Sequence, residues 1–459
     1  MFKEFTLFFM VSGIITFSGC TDNRTVRERP RQHDADKKFQ RARPAFEVAF
    51  EVDEPEEPNG PVTLRQLQRL ALRYNPELAA FAWQIRQAEA DYLQASLPPN
   101  PELEYKMEEF GGRGSIKGFE GAVNKFHFIQ LIELGDKRSK RMRAAWLGSE
   151  LVQWEYISKQ MDIISKVADD YAAVLAAQQR VSLASELRDI SQEVLETVSK
   201  RVEAGKDSPV EQIKAQVALS HYRIELERAR KDLEGVCKRL VATCGTEKAV
   251  MHGLAEQLET LEGRIKSSPQ IPLLVQLEAR LERNPDLARW AAQTEQYEKS
   301  LELERAKTIV DPAVSAGIHH YNELDGIGFQ LGLGVPIPLF DRNQAGVMRA
   351  RDKLSQSQTA RFAAELNLRA DLQVAYQSLT GSLLAVKLLG GDVLPNVQKA
   401  LAAATEGYRQ GKFGYLDVLD AQRTLFEAKG QYLKALTEFH QAFTQIERLT
   451  GGSLRADKN

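Results

Sequence analysis

The sequence is poor in the residues and patterns that most chemistry requires. Its 459 residues include three cysteines, seven histidines and seven methionines, with no His-rich or Met-rich tract of the kind that stores metal. There is no H-E-x-x-H helix and no G-x-S-x-G elbow. The nearest phosphate loop, Gly407 to Phe413, is one residue short between its glycines and lacks a hydroxyl after Lys412. Cys237 and Cys244 lie seven positions apart on a helical stretch, ~10 Å between Cα atoms, too far to bridge within one straight helix, and are read as buried thiols. No enzyme constellation and no cofactor are expected. The formal net charge is −2, so there is no basic field for nucleic acid. Beyond the N-terminus no run approaches ~18 uninterrupted apolar residues, which excludes a membrane-crossing helix. A membrane protein built from this chain would have to use strands.

The N-terminus is the one apolar run. Residues 1–19 carry an early Lys3 and about a dozen apolar positions, too few for a mature bilayer span and right for a secretory signal. Phe17-Ser18-Gly19-Cys20 resembles a bacterial lipobox, which makes Cys20 the expected lipidated first residue of the mature chain, and Thr21 after it favours the outer membrane. Residues 20–61 are polar and Pro-interrupted, with Arg24, Arg27, Arg29 and Arg31 early and Glu51, Asp53, Glu54, Glu56 and Glu57 late. Such a segment buries too little apolar surface to offset its ordering entropy, so it is read as a disordered tether.

After the tether the chain repeats itself. Asn75-Pro76 recurs as Asn284-Pro285, Glu133-Leu134 aligns with Pro338-Leu339, Gly205-Lys206 with Gly411-Lys412 and Gly245 with Gly451, at offsets of 209, 205, 206 and 206. Four landmarks in one order at nearly one spacing mean a duplicated unit, spanning 62–250 and 271–451 with a linker at 251–270 and a tail at 452–459. Each half opens with a helical stretch (Thr63 to Ser96, Leu273 to Thr308). Two strands follow: Glu102 to Met107 and Lys125 to Leu134 in the first half, Ala313 to Tyr321 and Gly326 to Leu339 in the second. Two long helical stretches then form a hairpin, Asp136 to Ala204 with Pro209 to Thr243, and Gln344 to Tyr408 with Leu416 to Leu449. Leu183, Leu187, Ile190, Val194, Val198 and Val202 mark an apolar seam along the first of them.

The last strand poses the main question. In GIGFQLGLGVPIPL, Ile327, Phe329, Leu331, Leu333, Val335, Ile337 and Leu339 alternate with glycine, glutamine and proline. Period two makes one face apolar, and its backing is small rather than charged. Backbone polar groups in lipid must all be paired, so strands survive there only in a closed barrel, and four strands from one chain cannot close one. Several copies can. The first-half strand is less clean, since Phe126, Phe128, Ile129, Leu131 and Ile132 fall on both faces. His319 and His320 in the third strand point to opposite faces, so only one of them could meet a passing ion.

The stretch Gly407 to Leu425, GYRQGKFGYLDVLDAQRTL, together with Glu447-Arg448-Leu449-Thr450-Gly451, resembles the second periplasmic hairpin of the TolC-like outer-membrane efflux factors. Pro336 to Gln344 is similar to that family's barrel-to-helix junction, and Ile132 to Arg138 to the first-half junction of its cobalt-zinc-cadmium resistance branch. The resemblance implies a mainly α fold with a small membrane β part. A homotrimer would pool four strands per subunit into a 12-stranded barrel and continue it as a periplasmic coiled-coil tunnel. It implies as partners outer-membrane lipid, a periplasmic adaptor and an inner-membrane resistance-nodulation-division pump, with heavy-metal cations as cargo. Gly205, Lys206, Gly411, Lys412, Phe413 and Gly414 become the hairpin tips that contact the adaptor. Asp417 and Asp420 match the family's inward carboxylate ring, opposite Glu211 and Lys214 in the first half. The family's gate-bridging arginine is absent, with Phe413 in its place beside Lys412. Asp417 also suits a helix cap. Drug efflux, type I secretion, or a periplasmic coiled-coil adaptor or scaffold remain as alternatives.

Overall fold

The computed structural model describes residues 62–114, 117–245 and 271–452. The expected signal peptide, Cys20, tether, linker and C-terminal tail from residue 453 lie outside these residues. Within them the elements run α1 (Leu64–Tyr74), α2 (Pro76–Ser96), β1 (Glu102–Glu108), β2 (Val123–Leu131), α3 (Lys137–Glu203) and α4 (Pro209–Cys244). The second half gives α5 (Leu274–Arg280), α6 (Pro285–Ala306), β3 (Ala313–Tyr321), β4 (Gly326–Gly334), α7 (Gln344–Leu388), α8 (Leu394–Arg409) and α9 (Tyr415–Thr450). Helix α3 alone has 67 residues, ~100 Å at 1.5 Å per residue. None of the described helices is long and apolar enough to cross a membrane.

The duplication is visible as duplicated hydrogen bonds. Asn75 caps α2 by accepting from the backbone N–H of Glu77 and Leu78, while its Nδ2 donates 2.8 Å to the Thr243 carbonyl at the end of α4. Asn284 caps α6 from Asp286 N–H, and its Nδ2 donates 2.7 Å to the Leu449 carbonyl at the end of α9. Both asparagines are buried, so each amide is satisfied on both sides. The matching glycines, Gly245 and Gly451, end those helices at φ +73° and +71°. A Cβ on Gly245 would stand 2.3 Å from the Tyr74 carbonyl oxygen, and one on Gly451 2.9 Å from that of Arg283. Only glycine accepts both the left-handed turn and that approach. Nearby, Arg448 of α9 reaches Asp162 on α3 (2.6 Å) and Asp286 on α6 (2.9 Å), tying the two halves together.

Several boundaries differ from the sequence reading, each for a local reason. The opening helix splits at Asn75-Pro76, because Pro76 has no N–H to continue α1 and Asn75 caps a new start. The second-half opening splits the same way at Asn284-Pro285, after a short 3-10 turn at Leu281–Arg283. Gln344 to Tyr408 is not one α-helix: a π turn over Leu389–Val393 contains Gly390 and Gly391 and precedes Pro395, separating α7 from α8. Strand β4 stops at Gly334 rather than Leu339, and β2 at Leu131 rather than Leu134. Beyond Gly334 there is no partner among the described residues, since β3 begins at Ala313 just after Pro312, and Pro336 and Pro338 offer no N–H.

The four strands form one antiparallel sheet in the order β1-β2-β3-β4, with β2 and β3 joining the two halves. The register aligns Tyr105, Phe126, Ile318 and Phe329 across all four strands, and Leu103, Phe128, Ala316 and Leu331 one row on. This face is apolar and bare: Ile327, Phe329, Leu331 and Leu333 are 69–85% exposed. Phe126 and Phe128 belong to it, whereas Ile129 and Leu131 face the other way, which resolves the ambiguity of β2. The opposite face reads Glu104, His127, Gly317, Gln330 and then Lys106, Lys125, His319, Gly328. Its glycines do not leave empty space. A Cβ at Gly317 would meet the His127 ring at 2.1 Å, at Gly332 the Ser315 hydroxyl at 2.5 Å, and at Gly328 the Tyr321 ring at 3.2 Å. Small residues on one strand let long side chains from the next lie across it.

Candidate functional site: the hairpin tips and the barrel wall

At the sheet-to-helix junction both long helices start from a residue in the left-handed region, Asp136 (φ 56°) and Asn343 (φ 56°), which turns the chain sharply out of the strand. Buried Lys137 pairs with Asp311 at 2.6 Å, and the other oxygen of Asp311 accepts from Leu134 N–H at 2.8 Å. In the second half the Asn343 amide donates to the carbonyl and carboxylate of Glu304 at 2.8 and 2.7 Å. These contacts fix the angle between strands and helices.

At the far end, the two hairpins turn in the same way. Gly205 and Gly411 adopt φ +70° and +74°, and Lys206 and Lys412 each donate backbone N–H to a carbonyl five residues earlier, of Arg201 and Gly407, at 2.8 Å. This is the 6→1 closure that ends a helix on a left-handed glycine. The predicted tip residues Gly205, Lys206, Gly411, Lys412, Phe413 and Gly414 are therefore together at the turns and exposed. The Phe413 ring lies over Gly407, where a Cβ would meet it at 2.1 Å.

A contact the sequence reading missed joins the tips. Arg201 grips Asp207 in bidentate fashion, Nε to Oδ2 at 2.7 Å and Nη2 to Oδ1 at 2.9 Å. The Tyr408 hydroxyl donates to the same Oδ2 at 2.6 Å, the Arg201 guanidinium donates to the Tyr408 carbonyl at 3.1 Å, and it sits 4.7 Å over the Tyr408 ring. Arg201 holds the Asp207 carboxyl below the usual range, and burial together with Asp207 pushes the Tyr408 phenol up. Below the latch lies a small apolar core of Val194, Val198, Ala215, Tyr415 and Val418. Burial raises the Tyr415 phenol to about 12. The cation that bridges the hairpins is thus Arg201, six residues before Asp207, and not an arginine at the Gly411 turn.

Asp417 and Asp420 are both exposed on the first turns of α9. Asp417 does what a cap does: its Oδ2 accepts from Gly414 N–H at 2.8 Å. With Phe413, Asn396, Ala400 and Thr424, the two carboxylates line an open groove of about 610 Å³ between α8 and α9. In the first half, Glu211 stands in the first turn of α4, and Lys214 is exposed one turn on. Of the cysteines, Cys244 is fully buried, with burial first and Asp170 second raising its thiol to about 12, and Cys237 is half-buried; both are free.

A sheet with one bare apolar face, carried on helical hairpins far longer than any core needs, defines a channel subunit whose strands enter a membrane barrel. The family model described as "Outer membrane efflux protein" matches twice, over residues 67–246 and 277–452, one match per half. The chain belongs to the outer membrane efflux protein family. It is 34% identical over 397 residues to the cobalt-zinc-cadmium resistance protein CzcC of Cupriavidus metallidurans, covering 86% of this chain and 92% of that protein. It is 25% identical to the nickel-cobalt-cadmium resistance protein NccC of Alcaligenes xylosoxydans xylosoxydans, covering 74% and 76%. The crystal structure of CusC superposes with a TM-score of 0.73 at 17% identity, over 90% of this chain and 98% of that one. The subunit fold is that of the TolC-like channels, as the resemblance implied.

Proposed function

We propose that three copies of this chain form the outer-membrane exit duct of a tripartite efflux system, and that its cargo is heavy-metal cations. The observation that carries the duct reading is the sheet: one face is apolar and bare, and β1 and β4 each keep one edge without a partner strand among the described residues. Unpaired edges are excluded from lipid, so neighbouring copies complete them, β4 of one against β1 of the next. Twelve strands close a barrel with the polar face inward. Exposed apolar positions along the helices fit the same assembly. Val210, Ile213, Val217 and Ile224 follow one stripe of α4, and Phe362, Leu366 and Val374 stand out from α7. Cys20 anchors the mature chain to lipid through the 20–61 tether, and the two repeats supply matching halves of each subunit.

The hairpin tips, Gly205-Lys206 and Gly411 to Gly414, meet the periplasmic adaptor, and an inner-membrane proton-driven pump supplies the energy. The duct itself is passive. Asp417 and Asp420 from three subunits converge near the entrance, where carboxylates crowding a narrow throat draw cations in. Asp417 combines this with capping α9. The Arg201–Asp207–Tyr408 latch holds the two hairpins of each subunit together in the closed state.

The metal assignment draws on the names of CzcC and NccC. Deleting the gene should lower tolerance to cobalt, zinc or cadmium salts, with restoration by the intact gene. A deletion strain as tolerant as its parent to all three, and more sensitive to organic drugs, would move the cargo to drugs.

A further inference from the structure

On the inner face of the sheet, the His127 ring on β2 and the His319 ring on β3 meet with their Nε2 atoms 2.9 Å apart. The placement is built rather than incidental. Gly317 leaves the gap that the His127 ring fills, since a Cβ there would overlap the ring at 2.1 Å. His319 is only 9% exposed, whereas its neighbour His320 points to the opposite, apolar face. On the other side of His127, the Oε2 of Glu104 stands 3.6 Å from Nδ1. Lys106 is tied to Glu104 at 2.8 Å and Lys125 to Glu108 at 2.5 Å, so both cations of this face are neutralised.

We propose that His127 and His319 form a two-imidazole binding site for a divalent transition-metal ion in the barrel wall, with Glu104 orienting His127. Glu104 favours the tautomer of His127 with its proton on Nδ1, which leaves Nε2 as an acceptor. Between the two rings that lone pair takes the Nε2 proton of His319. When a metal arrives, the His319 proton moves to Nδ1 by exchange with water, both Nε2 lone pairs turn to the ion, and no net proton is released. Two imidazoles on one tetrahedral ion at ~2.0–2.1 Å place their nitrogens about 3.3 Å apart, so the pair must open by ~0.4 Å and each ring must swing by roughly 35° from its present end-on alignment. Imidazole suits zinc, cobalt and nickel rather than magnesium or calcium.

No group of three or more His, Cys, Asp or Glu among the described residues is placed to hold a metal ion. Water therefore completes the coordination, and binding is weak. That suits a duct, where a site must attract an ion and then release it. Three such pairs would ring the lumen of a trimer, and their role as a way station rests on the efflux reading. The binding itself does not.

The experiment uses the detergent-purified full-length protein without an oligohistidine tag, titrated with Zn2+ by calorimetry and with Co2+ by its visible ligand-field bands. One ion per subunit is expected. His127→Gln or His319→Gln should weaken binding at least about tenfold and Glu104→Gln about tenfold, while lipid-facing His320→Gln leaves it unchanged. X-ray absorption of the Zn2+-loaded wild-type protein should show two imidazoles per zinc, a readout needing no variant. Absence of binding, absence of imidazole scattering, or variants that bind as wild type would overturn the site. A protein that binds Zn2+ through these histidines but confers no metal tolerance would keep the site and retire only the cargo reading.

Discussion

Removing one oxygen atom from the tip tests the proposed Arg201–Asp207–Tyr408 latch. In Tyr408→Phe the Arg201–Asp207 ion pair and the ring beneath the guanidinium stay, and only the 2.6 Å hydrogen bond between the two hairpins is lost. A hydrogen bond to a charged group contributes ~1.5–3 kcal/mol, and 1.4 kcal/mol is tenfold in an equilibrium, so each subunit's latch should loosen by about tenfold to about a hundredfold. Asp207→Ala goes further, removing the bidentate ion pair to Arg201 as well as the Tyr408 hydrogen bond. Because Arg201 depresses the Asp207 carboxyl, the latch is fully present above the ordinary carboxylate range and is lost only as pH falls through the lower folded value. Mild acid should not open it. Single-channel recording in planar bilayers reads this directly. Wild type is expected to stay mostly closed between pH 5 and 8, Tyr408→Phe to open more often, and Asp207→Ala more often still. A Tyr408→Phe protein that opens no more than wild type would refute the latch.

Three other substitutions probe separate parts of the account. Leu331→Arg, on the apolar face, should cost ~2–4 kcal/mol per subunit and abolish membrane assembly, whereas Gln330→Arg on the inner face should assemble and alter conductance, as outer-membrane fractionation would show. Asp417→Ala with Asp420→Ala should lower cation selectivity in reversal-potential measurements, and unchanged selectivity would retire the carboxylate ring. On α3, burial first and Asp170 second raise the Asp169 carboxyl to about 7. An acid raised on folding weakens the fold progressively between its unfolded value and its folded one, so Asp169→Asn, on a partly solvated carboxyl, should stabilise by roughly 1–2 kcal/mol per subunit above pH 7 and by nothing below pH 4. Thermal unfolding at pH 8 and pH 4 would show the difference.

The duplication was legible because it is written in residues with unique backbone roles. Asn-Pro caps and left-handed glycines cannot be replaced silently, so Asn75 and Asn284, or Gly245 and Gly451, mark the same bonds twice. Strand β3 was read to the residue because alternation and its flanking Pro312 agree. Strand β4 was drawn five residues too long because period two continues through Leu339, although Pro336 and Pro338 already announced the loss of donors. The break between α7 and α8 had its signal in Gly390-Gly391, which helical propensity around it outweighed. The latch was illegible for a different reason: Asp207 and Tyr408 lie 201 positions apart, and no periodicity links residues on separate hairpins. The His127–His319 pair, 192 apart, appears only once the β2–β3 register is known.

If β4 of one copy pairs with β1 of the next, cysteine cross-linking in intact outer membranes will trap the junction. Variants carrying Cys at Leu103 together with Cys at one of Ile327, Phe329, Leu331 or Leu333 scan the intermolecular register, since a disulfide forms only where Cα atoms come within about 7 Å. At least one combination is expected to give a non-reducing gel ladder of one, two and three linked chains, ending there. Chains that remain single in every combination, in membranes where the protein is folded and exporting, would contradict the shared barrel.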